Sequence, residues 1–382
     1  MASVDSLYTK IDQGREGKNL GLKTGLPKLD WYTGGFQKGV YKLVYGQSGS
    51  GKSSYVIYSD IYRILKDYPD ANITYVYFSL EMNESVLLAK ILCLYLLEEF
   101  GLELSFMDLM SIRKKMSDED YNKVLKARKW LDTISEKIII YDKQLSSDDF
   151  SDTMTTILKQ RGKFVPSADG MKTIYIPNDS TAILNVVIDH AGLLTPKGGR
   201  DKKQEIDRCS GLCVRLREVC GVSIDFIMQE NRNAGDVNRQ KMQLSEPTLD
   251  DCKDSGNPAN DANIVIAVYY PIKYQLKVYR DYKVADVRDA NGIVIESGLG
   301  GAIRGLILLK HRFGCANKVF CTGFQGSVGK FVELPKPDVI DYSLYQGWKD
   351  DKFEDETESK KEKDAAVKDT VEKDSKPIKY KF

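Results

Sequence analysis

YGQSGSGKSS, residues 45–54, follows the apolar run YKLVY (41–45) and precedes SSYVIYSDIYRILKDY (53–68), which has helical periodicity. From Gly46 to Ser53 the stretch satisfies GxxxxGK[ST] in the strand–loop–helix setting that this motif requires. The residue types dictate the chemistry. Glycines at 46, 49 and 51 let the backbone N–H groups of a loop made of Gly46, Gln47, Ser48, Gly49, Ser50, Gly51, Lys52, Ser53 and Ser54 point inward as an anion nest at a helix N-terminus. Lys52 then reaches the β- and γ-phosphates and the Ser53 hydroxyl ligates Mg²⁺, so ATP and Mg²⁺ are the expected ligands. Phosphate binding alone is shared by kinases, motors, recombinases and packaging ATPases.

The composition bounds the rest. With 42% hydrophobic and 29% charged residues in 382, the chain can bury a sizeable core and is too mixed for global disorder. A net charge of +1 provides no overall basic field, so nucleic acid would have to be met by local clusters of Lys and Arg. Seven cysteines, with no CxxC pair and no secretory leader, suit a reducing cytoplasm. No apolar run approaches the roughly 20 residues of a membrane span. Cys209 and Cys213 are spaced as metal ligands could be on a helix, but they fit better as small buried apolar residues.

Apolar runs at 41–45, 73–81, 137–142, 184–194, 222–229 and 263–270 alternate with helical stretches, the pattern of a parallel sheet covered on both faces. Later runs such as LILLK (306–310) follow one another without helices, and DVRDANGIVIES (286–297) carries an Asn291-Gly292 turn. The expectation is an α/β fold, a mostly parallel sheet with an antiparallel end, forming one domain over residues 21–348. VPSADGMKTIYIPNDST (165–181) reads as a hairpin inserted into it.

Ahead of that domain, residues 1–20 contain Val4, Leu7, Tyr8 and Ile11, an apolar stripe on a short helix ending at Gly14. So short a helix must dock, either on its own domain or on a neighbouring subunit. Residues 349–382 are too densely charged to fold alone and are expected to be disordered. Their last segment, KPIKYKF, breaks the pattern with Ile378, Tyr380 and Phe382, a candidate anchor for a partner.

A phosphate site of this kind needs an acidic residue at the end of a buried strand, and LNVVIDH (184–190) supplies Asp189, which would hold Mg²⁺ through water. The next residue is His190 and not a second carboxylate, so the group that orients the attacking water must come from another strand. YFSLEM (77–82) places Glu81 at a strand's carboxyl end, where ligands bind in such sheets.

TGLPKLDWYTGGFQKGVYKLVYGQSGSGKS (24–53) resembles the entry to RecA-type domains generally, and FSLEM (78–82) narrows the likeness to the DnaB-type hexameric replicative helicases. The resemblance continues through LMSIRKKMSDEDYNKVLKARKWL (109–131), VVIDHAGLL (186–194), QEIDRCSGLCVRLREVCGVSIDFIMQENR (204–232), LDDCKDSGNPANDANIVIAVYY (249–270) and LILLKHRFG (306–314). It implies a RecA-like motor assembled as a hexameric ring, which hydrolyses ATP at subunit interfaces and translocates on single-stranded DNA during replication. The alternative is a RecA-like recombinase or a KaiC-like DNA-binding ATPase without unwinding activity.

The same resemblance assigns roles. Gln229 corresponds to the glutamine that senses the γ-phosphate, and Lys310 and Arg312 to the lysine and arginine finger that reach a neighbour's nucleotide. Lys253, Asp254 and Gly256 fall on the loop that grips the DNA backbone, where the family has Arg, Glu and Gly. Lys197, Arg200, Lys202 and Lys203 would supply a second DNA loop. The family carries a collar or fused primase ahead of the motor, and here only about 20 residues precede it. This architecture suggests a phage or plasmid replication system in the bacterial cytoplasm, with a primase, loader or polymerase as possible tail partner.

Overall fold

Strand-forming apolar runs fix the frame of the molecule. The computed structural model describes residues 4–167, 170–171, 173–230, 246–255 and 257–349. Its strands are β1 (Tyr41–Gly46), β2 (Ile73–Ser79), β3 (Ile138–Tyr141), β4 (Gly162–Pro166), β5 (Thr173–Pro177), β6 (Ile183–Asp189), β7 (Ser223–Gln229), β8 (Ile264–Tyr269), β9 (Val278–Tyr279), β10 (Tyr282–Lys283), β11 (Val287–Arg288), β12 (Val294–Glu296), β13 (Ile303–His311), β14 (Lys318–Gln325) and β15 (Lys330–Glu333). Nine of them form one sheet in the order β15-β14-β13-β8-β1-β7-β6-β2-β3. From β8 to β3 every pairing is parallel, and β13, β14 and β15 add the antiparallel end.

Parallel strands are buried on both faces, and β1 illustrates the consequence. Tyr41, Leu43 and Tyr45 belong to one core and Val44 to the other. Helices cover both faces, each stopped by its own sequence. Asn83 caps Glu84–Phe100 by accepting from Val86 N, and Gly101 ends it at φ 61°. Asp201 and Gln204 cap Lys202–Cys220 reciprocally, and Gly221 closes it at φ 66°. Cys209 and Cys213 of that helix lie in the core beside Tyr41.

Several boundaries differ from expectation. The run at 73–81 stops at Ser79, and that at 184–194 stops at Asp189, followed by a 3-10 turn at Ala191–Leu193. The inserted hairpin is present as β4 and β5, with Val165 opposite Ile174, and begins earlier at Gly162. The Asn291-Gly292 turn is also present, but β11 and β12 form a separate ribbon and contribute nothing to the antiparallel end. The first helix, Val4–Arg15, runs one residue past Gly14 and leaves Val4, Leu7, Tyr8 and Ile11 48–68% exposed, so it does not dock on its own domain. The tail from Asp350, with Ile378, Tyr380 and Phe382, lies outside the described residues. Among the described residues no helix is long and apolar enough to cross a membrane.

Candidate active site

The carboxyl ends of β1, β6 and β7 converge on one spot. β1 delivers the glycine loop, and Gly46 is fixed by crowding, since a Cβ there would lie 2.4 Å from the Val268 carbonyl oxygen. Gly51 takes φ 97°, in the left-handed region that favours glycine, and hands the chain to the helix that starts at Lys52. Lys52 Nζ donates to the Gln47 carbonyl at 2.8 Å. Burial pulls its ammonium down to about 8, against the opposing fields of Asp189 and Glu81. Those two carboxylates therefore lie within electrostatic range of Lys52.

Asp189, fully buried as the last residue of β6, accepts from Ser53 Oγ at 2.8 Å through one oxygen and from Tyr77 OH at 2.6 Å through the other. Burial pushes its carboxyl up while these two donors pull it down. His190 is buried next to it, and burial depresses its imidazole pKa. Glu81 is exposed two residues beyond the end of β2, on the bend before the Asn83 cap. Gln229 ends β7 directly opposite Gly46 in the β1–β7 register, and Glu230 N donates to the Gly46 carbonyl at 3.0 Å. Thus Lys52, Ser53, Asp189, Glu81 and Gln229 share one end of the sheet.

Three further contacts to the loop escaped sequence reasoning. Lys273 Nζ donates to the Ser48 carbonyl, and Gln47 Nε2 donates to Tyr274 OH at 2.5 Å, both from the turn after β8. Arg304, buried on β13, donates through Nε to the Ser50 carbonyl at 2.8 Å, its guanidinium 3.5 Å from the Tyr270 ring centroid. The one available signal was a charged residue inside the otherwise uncharged GAIRGLILL.

Lys310 and Arg312 are not at this end. Lys310 Nζ donates to the carbonyls of Ala259 and Asn260 at 2.8 and 2.7 Å, and Arg312 Nη2 to that of Asn260 at 3.1 Å. Burial, then the Arg312 charge, lowers the Lys310 ammonium. Because β13 runs antiparallel to β8, with His311 opposite Ile264 and Gly305 opposite Tyr269, this pair sits at the amino end of the parallel strands.

Of the expected DNA-loop cations, Arg200 is already engaged by Asp148 at 2.5 Å and Glu205 at 2.6 Å. Lys197 pairs with Asp149 at 3.1 Å, and Lys202 Nζ donates to the Leu194 carbonyl. Lys203 is exposed in the first turn of its helix. Lys253 and Asp254 lie in the 3-10 segment Leu249–Ser255, and Gly256 is outside the described residues.

Residues 21–333 match the family described as the DnaB-like helicase C-terminal domain. The replicative DNA helicase DnaB of Helicobacter pylori is 25% identical over 370 residues, which cover 93% of this chain and 67% of that protein. DnaB of Leifsonia xyli is 23% identical over 322 residues, covering 84% and 57%. The chain thus spans about two thirds or less of these relatives. Among solved structures, an ATPase domain superposes with a TM-score of 0.64 at 18% identity over 88% of this chain and all of its own. A DnaB-like replicative helicase, studied with its interactions with primase, gives 0.61 at 19%, covering 88% and 68%. The chain belongs to the DnaB-like helicase C-terminal domain family, a helicase motor domain of RecA-like fold.

Proposed function

We propose that the protein is an ATP-dependent DNA helicase motor that works as a ring, hydrolysing ATP between subunits while it translocates on single-stranded DNA during replication. One observation supports this reading: the residues that the resemblance assigns to catalysis lie at opposite ends of the sheet, and β13 runs between them. Arg304 touches the phosphate loop of its own chain, whereas Lys310 lies six residues further along the strand, roughly 20 Å away at about 3.4 Å per residue. Lys310 and Arg312 therefore cannot serve their own loop, and a second subunit in head-to-tail contact can bring them to it.

The donor set fits Mg²⁺, since a hydroxyl and a carboxylate 2.8 Å apart are hard oxygen ligands. Mg²⁺ held by Ser53 and Asp189 would neutralise charge on the β- and γ-phosphate oxygens. The chain's own groups supply the rest. Lys52 and the loop amides hold the phosphates, Glu81 orients the attacking water, and Gln229 reports the γ-phosphate to β7. Arg312 from the adjacent subunit stabilises transition-state charge, worth about 10³–10⁵ in rate in other nucleotide hydrolases. Lys253, Asp254 and Gly256, with Lys197, Arg200, Lys202 and Lys203, are the proposed strand contacts. We place the work in the bacterial cytoplasm, with a primase, loader or polymerase as partner.

ATP-driven separation of a forked duplex, with Lys52→Ala as the inactive control, tests the reading. Hydrolysis stimulated by single strands without any strand separation would favour the recombinase or KaiC-like alternative.

A further inference from the structure

Four residues before each functional strand end stands a polar residue: Lys42 before Gly46 on β1, Asn185 before Asp189 on β6, and Asp225 before Gln229 on β7. The three are linked beneath the site. Lys42 Nζ lies 2.5 Å from Asp60 Oδ2 and 3.3 Å from Asp225 Oδ1, and Asn185 Nδ2 donates to Asp225 Oδ2 at 2.8 Å. Side-chain exposure is 12% for Lys42, 0% for Asp60 and 2% for Asp225.

Asp60 belongs to the helix that continues from the phosphate loop, within a π-helical turn at Ile57–Tyr62. Such turns loosen the ordinary helical hydrogen-bond ladder. Here the Asp60 carbonyl accepts from Tyr75 OH of β2 at 2.5 Å. Hence β1 and β2 hold one point of the loop's helix directly, and β6 and β7 hold it through Asp225 and Lys42.

Stability does not account for this cluster. A buried ion pair is commonly matched or surpassed by apolar residues of the same volume, and the surrounding sheet is apolar. Burial pushes the Asp60 carboxyl up to about 7, against the pull of Lys42. What the cluster supplies is geometry, because Lys42 and Asp225 are direct partners in the β1–β7 register, four residues below the partners Gly46 and Gln229.

We propose that Lys42, Asp60, Asp225 and Asn185 form a positioning bracket that sets the phosphate loop against the strand ends carrying Asp189 and Gln229. The bracket touches no nucleotide, and its assignment rests on the nucleotide site proposed above. Nucleotide affinity depends mainly on the loop and Lys52, whereas turnover depends on the loop's position relative to Asp189, Glu81 and Gln229. Loss of the bracket should therefore separate the two.

The test compares the full-length wild type, Asp225→Asn and the double variant Lys42→Met/Asp225→Asn in ATP turnover, ATP affinity and thermal melting. The double variant removes both charges of the β1–β7 pair and leaves Asp60, now without its cation, to take up a proton, as its raised carboxyl allows. Asp225→Asn, which keeps Lys42 beside Asp60, gives the same readouts should the double variant fail to fold. The expected result is a fall in kcat of about tenfold or more with affinity kept within about twofold, as displacements near 1 Å can cost about 10²-fold in rate. Unchanged kcat overturns the proposal, and so does a loss of kcat and affinity in step with melting temperature, which marks a merely structural cluster. A wild type that hydrolyses no ATP would instead refute the nucleotide reading.

Discussion

Ser53 Oγ donates to Asp189 Oδ1 at 2.8 Å across 136 residues of sequence, so the phosphate-loop helix and the end of β6 share a hydrogen bond at the proposed Mg²⁺ position. Asp189→Asn keeps an acceptor for Ser53 and removes the charge. Turnover should fall by about 10² or more while the melting temperature changes little. ATP affinity measured with and without Mg²⁺ is the check: the variant should lose the gain that Mg²⁺ confers, and a preserved gain excludes Asp189 as the metal's carboxylate.

Lys52→Ala and Arg312→Ala should each abolish most hydrolysis, for different reasons. The first cannot hold phosphate, and the second cannot complete its neighbour's site. Mixed in equal amounts, about a quarter of head-to-tail interfaces regain both groups, so ATPase should reappear, and unwinding less so. No recovery in a mixture whose subunits demonstrably exchange contradicts a finger acting in trans.

Deleting residues 1–13 removes the exposed stripe of Val4, Leu7, Tyr8 and Ile11. Sedimentation should show a smaller or weaker oligomer, with nucleotide binding by the monomer intact. An unchanged oligomer would remove this helix from the subunit contact.

Asp60 links stability to pH. Its carboxyl is raised from 3.8 to about 7 in the folded state, so between those values the folded chain holds a proton that the unfolded chain has released. This group's contribution therefore declines as pH rises from about 4 to about 7, and levels off above. Melting of Asp60→Asn relative to wild type should shift in the variant's favour over that window. A constant difference would show that the folded chain holds no extra proton in this cluster.

How far the sequence disclosed the site depended on whether each residue's neighbours lay close along the chain. The positions of the glycine loop, Asp189 and Gln229 at strand ends were legible because each ends an apolar run that can only be a buried strand, whereas the role of Gln229 comes from the family resemblance alone. Glu81 was assigned to β2's end, yet β2 stops at Ser79, because Leu80 and Met82 prolong the apolar pattern past the last ladder bond. The partners of Arg200 were not legible, since a charge run does not reveal Asp148 or Glu205 folding against it. Lys273 and Arg304 reach the loop from 225 and 254 residues away, through pairings of β8 and β13 that no local periodicity encodes.

β13 has a mechanical consequence in the proposed ring. Arg304 at one end grips Ser50 of its own loop, and Arg312, just past the other end, would enter the next subunit's site. The strand is then a push-rod between two ATP sites, stiffened by ladder bonds to β8 and β14 on either side. A shift of the loop on ATP binding would be delivered to the neighbour's transition state without passing through DNA. Arg304→Met should accordingly lower the Hill coefficient for ATP toward one even with no DNA present, and an unaltered coefficient would mean that the sites communicate by another route.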